Sequence, residues 1–167
     1  MRRVINILSL SRILFAILFF YQVCFVGINP IVLSIIFALT VFSDYFDGKL
    51  ARFYDLGSEN GAKIDVISDF IFVFLSTLSL IVVNLIPVYY IFVIVWKMFE
   101  FFKTSEDGLY YDRFGHIVAV VMYVFPIMVV IFNLSYSLTF ILTIFISISA
   151  LFSSVLRIKN KMGGFIK

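Results

Sequence analysis

The charged residues of this chain avoid three long stretches. None falls between Ile13 and Ser43, between Phe70 and Trp96, or between Phe114 and Leu156. About 20 apolar residues are enough for one helix to cross a bilayer. The first and third stretches hold two such helices each, and the middle one holds two when their charged ends are included. Turn-forming residues interrupt each stretch near its midpoint: Gly27-Ile28-Asn29-Pro30, Asn84-Leu85-Ile86-Pro87 and Asn133-Leu134-Ser135. The pattern predicts an all-α integral membrane protein with six transmembrane helices, near 8–26, 30–50, 61–84, 87–104, 112–132 and 136–157. Composition agrees: 63% of the 167 residues are hydrophobic and 14% charged, against about 45–50% and about 25% in soluble domains. A soluble domain of this size leaves about a third of its unfolded chain's surface exposed and could not hide so much apolar area. Disorder and a disulfide scaffold are excluded as well, since Cys24 is the single cysteine.

The Lys and Arg residues fall on one side of this six-helix plan. Arg2 and Arg3, the connections at 50–60 and 104–112, and Arg157, Lys159, Lys161 and Lys167 share that side, whereas the opposite turns carry no charge. The positive-inside bias makes it cytoplasmic, with both termini inside, as in the cytoplasmic membrane of a prokaryote. The formal charge of +3 suits anionic membrane lipids and gives no sign of a nucleic-acid partner. The first dozen residues read as a short N-terminal interfacial helix, with Arg2, Arg3 and Arg12 near headgroups. Arg12 interrupts the early apolar run and no Ala-x-Ala-like site follows, so a cleavable signal peptide is not expected. With no repeat or linker, residues 1–167 read as one membrane domain.

Four aspartates sit where a membrane should exclude them. Asp44 and Asp47 lie near the end of the second helix, and Asp65 and Asp69 near the start of the third. Ionisable groups at membrane depth are costly and usually functional. At 100° per residue, Asp44, Asp47, Gly48, Ala51 and Arg52 share one arc of their helix, and Gly61, Asp65 and Asp69 form a stripe on the next. Four converging carboxylates call for cations, and hard oxygen ligands suit Mg²⁺ or Mn²⁺ in a two-metal site. Gly48, Ala51 and Gly61 would let a bulky ligand approach the backbone, and Arg52 offers a planar fork for phosphate. Together they describe a diphosphate site at the membrane edge.

The run Asp44-x-x-Asp47-Gly48-x-x-Ala51-Arg52, then eight residues, Gly61, three residues, Asp65, three residues, Asp69 resembles the signature of the CDP-alcohol phosphatidyltransferase family (class I). All eight specified positions are present. Asn6, Ser9 and Arg12 are similar to the Asn-x-x-(Ser/Thr)-x-x-Arg run that precedes the first helix in that family. The resemblance implies transfer of a phosphatidyl-type group from a CDP-linked lipid to a small polar alcohol, with release of CMP. It implies Asp44, Asp47 and Asp65 as metal ligands and Asp69 as a further ligand or the general base. It assigns Gly48, Ala51, Arg52 and Gly61 to the CDP-lipid, and it implies a homodimer.

The acceptor alcohol is open among glycerol 3-phosphate, serine and inositol phosphate. Phe70 follows the last aspartate where glycerophosphate-using relatives often carry Lys and inositol-phosphate-using ones Arg. Gly115-His116 stands where many relatives have Gly-Lys. Polar groups off the signature face are the candidates for acceptor binding: Arg113, His116, Lys97 and Arg157. Lys97 and Glu100, spaced i, i+3, are also placed to pair with each other. Other readings of the aspartates are an ion-pair cluster with Arg52 and Lys63, an ion-coupled transporter, and an inactive scaffold of the same fold. A transporter site would lie nearer the midplane, and an intact signature argues against a scaffold.

Overall fold

A computed structural model describes residues 2–53, 59–104 and 113–163, with side chains for 11–46, 48–49, 61, 63–104 and 114–157. Its elements are helices: α1 (Arg2–Tyr21), α2 (Pro30–Phe53), α3 (Glu59–Val82), α4 (Tyr90–Thr104), α5 (Arg113–Ile131) and α6 (Tyr136–Gly163). A π-helical turn at Gln22–Val26 extends α1. Residues 2–21 form one continuous helix, so the expected interfacial segment is the first part of α1 itself. The connections expected to be cytoplasmic fall at 54–58 and 105–112, outside the described residues.

The turns that divide the uncharged stretches are built by their own side chains. Gly27 takes φ +116°, and its N–H donates to the Gln22 carbonyl at 2.8 Å. Asn29 then caps α2: its Oδ1 accepts from the N–H groups of Ile31 (3.1 Å) and Val32 (3.3 Å). Pro30 opens that helix, where a missing N–H costs nothing. At the ends of α3 and α5 an asparagine takes the left-handed position usual for glycine, Asn84 at φ 57° and Asn133 at φ 46°. Leu85 N–H then bonds the Leu80 carbonyl (2.8 Å), and Leu134 N–H the Val129 carbonyl (3.0 Å). This is the Schellman closure, which satisfies the last helical carbonyls. Thr139 adds a side-chain tie, donating to the Leu85 carbonyl at 2.6 Å.

Helix α1 packs between α2 and α3; α3 also meets α4 and α5, α5 meets α2 and α6, and α4 meets α6. Phe19, Phe37, Phe72 and Tyr123 join α1, α2, α3 and α5, with Phe72 5.3 Å from Tyr123 and 6.0 Å from Phe19 between ring centroids. Much of the outer surface is apolar, including Phe25, Phe42, Phe92, Phe99 and Phe145, while Thr40, Ser76, Ser79, Thr143, Ser153 and Ser154 are buried. Several of these hydroxyls bond a carbonyl one turn back, as Ser76 does to Phe72 (2.7 Å) and Thr143 to Thr139 (2.8 Å). Apolar outside and hydroxyl-bearing inside is the arrangement a lipid solvent favours.

Lys63–Val82, Phe114–Ile131 and Tyr136–Arg157 are each long and apolar enough to cross a membrane. Ser11–Val26 and Pro30–Phe46 are shorter apolar helices. Helix α4 begins at Tyr90, not near residue 87, because residues 87–89 belong to the turn. Its 15 residues reach about 22 Å, short of a hydrocarbon core of about 30 Å.

Candidate active site

The alternation of helix direction brings the start of α1, the end of α2, the start of α3, the end of α4, the start of α5 and the end of α6 to one end of the bundle. Asp65 and Asp69 lie one turn apart on α3 and share a face. Asp44 approaches from α2. One carboxylate oxygen from each of the three lies within 4.8 Å of the others. The side chains of Asp47, Ala51 and Arg52 lie outside the described residues. Gly48 and Gly61 are half-buried at the same end.

Arg12 of α1 occupies the centre of the carboxylate cluster. Its side chain is 0% exposed. One terminal nitrogen (Nη1) donates to Asp69 Oδ1 at 2.6 Å and lies 3.2 Å from Asp44 Oδ1. The other, Nη2, donates to Asp65. This placement corrects the expectation that Arg12 sits among headgroups. A guanidinium stays charged at any accessible pH, so once buried it needs carboxylates around it, and α2 and α3 supply them. Of the two cations in the alternative ion-pair reading, Arg52 lies outside the described side chains and Lys63 is half-buried on α3. Among the described side chains of this cluster, three carboxylates face one guanidinium. The donor set is all hard oxygen and converges from two helices, so it fits a divalent cation such as Mg²⁺ or Mn²⁺.

A cavity of about 480 Å³ adjoins the cluster. Asp44, Asp65 and Asp69 line it, and so do Lys97, His116 and Arg157. Three of the four sequence candidates for acceptor contact therefore share a cavity with the aspartates; the fourth, Arg113, has its side chain outside the described residues. The three are held differently. Lys97 Nζ donates to Glu100 Oε2 (2.6 Å), Ser153 Oγ (3.3 Å) and Ser154 Oγ (3.4 Å), which uses its three protons inside the wall. Ser154 Oγ also bonds Glu100 Oε2, at 2.7 Å. The Arg157 guanidinium lies 4.9 Å from the Phe101 ring centroid, and His116 is exposed.

Sequence reasoning singles out Arg12 in the Asn-x-x-(Ser/Thr)-x-x-Arg run but sets it among headgroups, because its partners lie 32 or more positions away, and it passes over Tyr123. Tyr123 lines the cavity with its hydroxyl buried and without a hydrogen-bond partner among the described residues. Nothing in the local sequence distinguishes it from the other aromatics of α5. The sequence profile of the CDP-alcohol phosphatidyltransferase family matches residues 3–156. A search of curated proteins finds no match to the chain.

Proposed function

Matched over residues 3–156, the chain belongs to the CDP-alcohol phosphatidyltransferase family, and we propose that it moves a diacylglycerol- or archaeol-phosphate group from a CDP-linked lipid to a small polar alcohol. The family's activity is CDP-alcohol phosphotransfer in phospholipid synthesis, in a membrane setting. In the proposed reaction the alcohol oxygen forms a bond to the lipid-bearing phosphorus. The bond from that phosphorus to the CMP oxygen breaks, CMP leaves with the bonding pair, and the alcohol proton passes to a carboxylate. Asp69 is the group that takes it.

Asp44, Asp47, Asp65 and Asp69 would hold the divalent ions. When bound, those ions neutralise the diphosphate and the departing phosphate oxygen. Gly48, Ala51 and Gly61 give the nucleotide diphosphate room against the helices, and Arg52 pairs with it. Arg157, His116 and Arg113 receive the acceptor alcohol, while Lys97 keeps that wall in shape. The protein crosses the membrane with this end cytoplasmic, and it works as a homodimer.

The observation that carries this reading is the shared cavity, lined by Asp44, Asp65 and Asp69 and also by Arg157 and His116. An anionic or polar acceptor enters next to the reacting phosphorus, as in-line displacement requires. The test is incubation of the purified protein with a CDP-lipid, Mg²⁺ or Mn²⁺, and serine, glycerol 3-phosphate or inositol phosphate in separate reactions. CMP release that depends on one alcohol supports the reading and names the acceptor. Absence of CMP release with any of them contradicts it.

A further inference from the structure

We propose that Arg12 is a positioning residue that sets the metal affinity of the aspartate cluster by competing with the cation for the same carboxylates. The inference rests on the metal-site reading above. Its ground is where the guanidinium lies. Nη1 reaches Asp69 Oδ1 at 2.6 Å and Asp44 Oδ1 at 3.2 Å, and Nη2 donates to Asp65. These are the three carboxylates whose oxygens converge within 4.8 Å. A guanidinium and a divalent ion repel each other when both sit close to one set of oxygens, and Arg12 itself is out of solvent although the three carboxylates are 35–49% exposed.

Arg12 cannot resolve the conflict by losing its proton. It cannot relax into solvent from where it lies, since its side chain is 0% exposed on a helix held between α2 and α3. It must therefore share the oxygens or turn away from some of them as the cation enters. The same contacts have a second effect. With Arg12 in place, the three carboxylates stay gathered whether or not a cation is bound. Without it their mutual repulsion is less compensated, and the stability of this end of the bundle becomes more dependent on metal. Arg12 thus trades metal affinity for a preassembled ligand set.

The experiment uses the full chain in detergent micelles and needs no turnover. Mn²⁺ binding is followed by loss of the free-ion electron paramagnetic resonance signal, for the wild type, Arg12→Gln and Arg12→Lys. Thermal unfolding of each is measured in chelator and in saturating Mn²⁺. Arg12→Gln is expected to bind Mn²⁺ about tenfold more tightly than the wild type, within the usual range for coupled ligands. Its unfolding midpoint falls in chelator and recovers with Mn²⁺ by more than the wild type gains. Arg12→Lys lies between, because one ammonium cannot fork to three carboxylates. Equal or weaker Mn²⁺ binding by Arg12→Gln, with the wild type binding, overturns the inference and leaves the metal site standing. If neither binds Mn²⁺, the metal-site reading falls and takes this inference with it. Should Arg12→Gln fail to fold, the Arg12→Lys titration decides: tighter binding than wild type supports the proposal, and equal or weaker binding overturns it.

Discussion

Two charge networks among the described residues meet one cavity: the Lys97–Glu100 pair is buried, whereas the carboxylates around the buried Arg12 are 35–49% exposed. Around Lys97 the charges match one for one: a single ammonium faces a single carboxylate, and Ser153 and Ser154 absorb the remaining donors. Around Arg12 one guanidinium serves three carboxylates from two helices. The ammonium has its three donors used, while Glu100 Oε1 is buried without a hydrogen-bond partner among the described residues. Among the described side chains, the carboxylates around Arg12 outnumber the guanidinium and form a donor set that fits a divalent cation. In the function proposed above, the difference separates a wall that holds the cavity's shape from one that does the chemistry, although both are ion pairs by distance.

Substitutions break the two networks in different ways. Asp65→Asn should give the largest effect, lowering CMP release at least about 100-fold, since disturbing the groups around a metal ligand already costs about 10–100-fold. Circular dichroism should find its helices intact, because the backbone bonds of a membrane helix are internal. Lys97→Met should act on stability instead. Leaving Glu100 buried and unpaired costs about 3–5 kcal/mol, and pairing it with Glu100→Gln should recover most of that loss in thermal unfolding. A Lys97→Met protein of normal stability but without activity would put Lys97 in the chemistry and collapse the comparison. Arg157→Ala and His116→Ala should do least. The first should raise the alcohol KM about tenfold and the second about threefold, with the CDP-lipid KM unchanged, the kinetic form of lost binding to one substrate.

The two ends of the bundle differ in how far the sequence discloses them. At the turn end, Asn29, Pro30, Asn84 and Asn133 act on backbone groups a few positions away, so the turns and the six helices are legible from local residues. The exception is the start of α4, where residues 87–89 stay in the turn and shorten the helix. At the site end, spacing puts Asp65 and Asp69 on one face, and the charge surplus points to a cation. What local reading could not deliver was Arg12, whose position depends on α1 packing between α2 and α3. The Lys97–Glu100 pair was visible as an i, i+3 spacing, but Ser153 and Ser154 come from a helix more than 50 residues on. Tertiary packing chose those partners, and no short-range pattern encodes it.

The central claim is that the aspartate cluster works as a divalent-metal site for transfer from a CDP-linked lipid. The most direct measurement is CMP release by the purified wild type in excess chelator, followed by graded return of Mg²⁺ or Mn²⁺. The account predicts that release stops in chelator and returns with added cation, and that Asp44→Asn needs more cation to regain it. Full CMP release by the wild type in excess chelator would contradict the account.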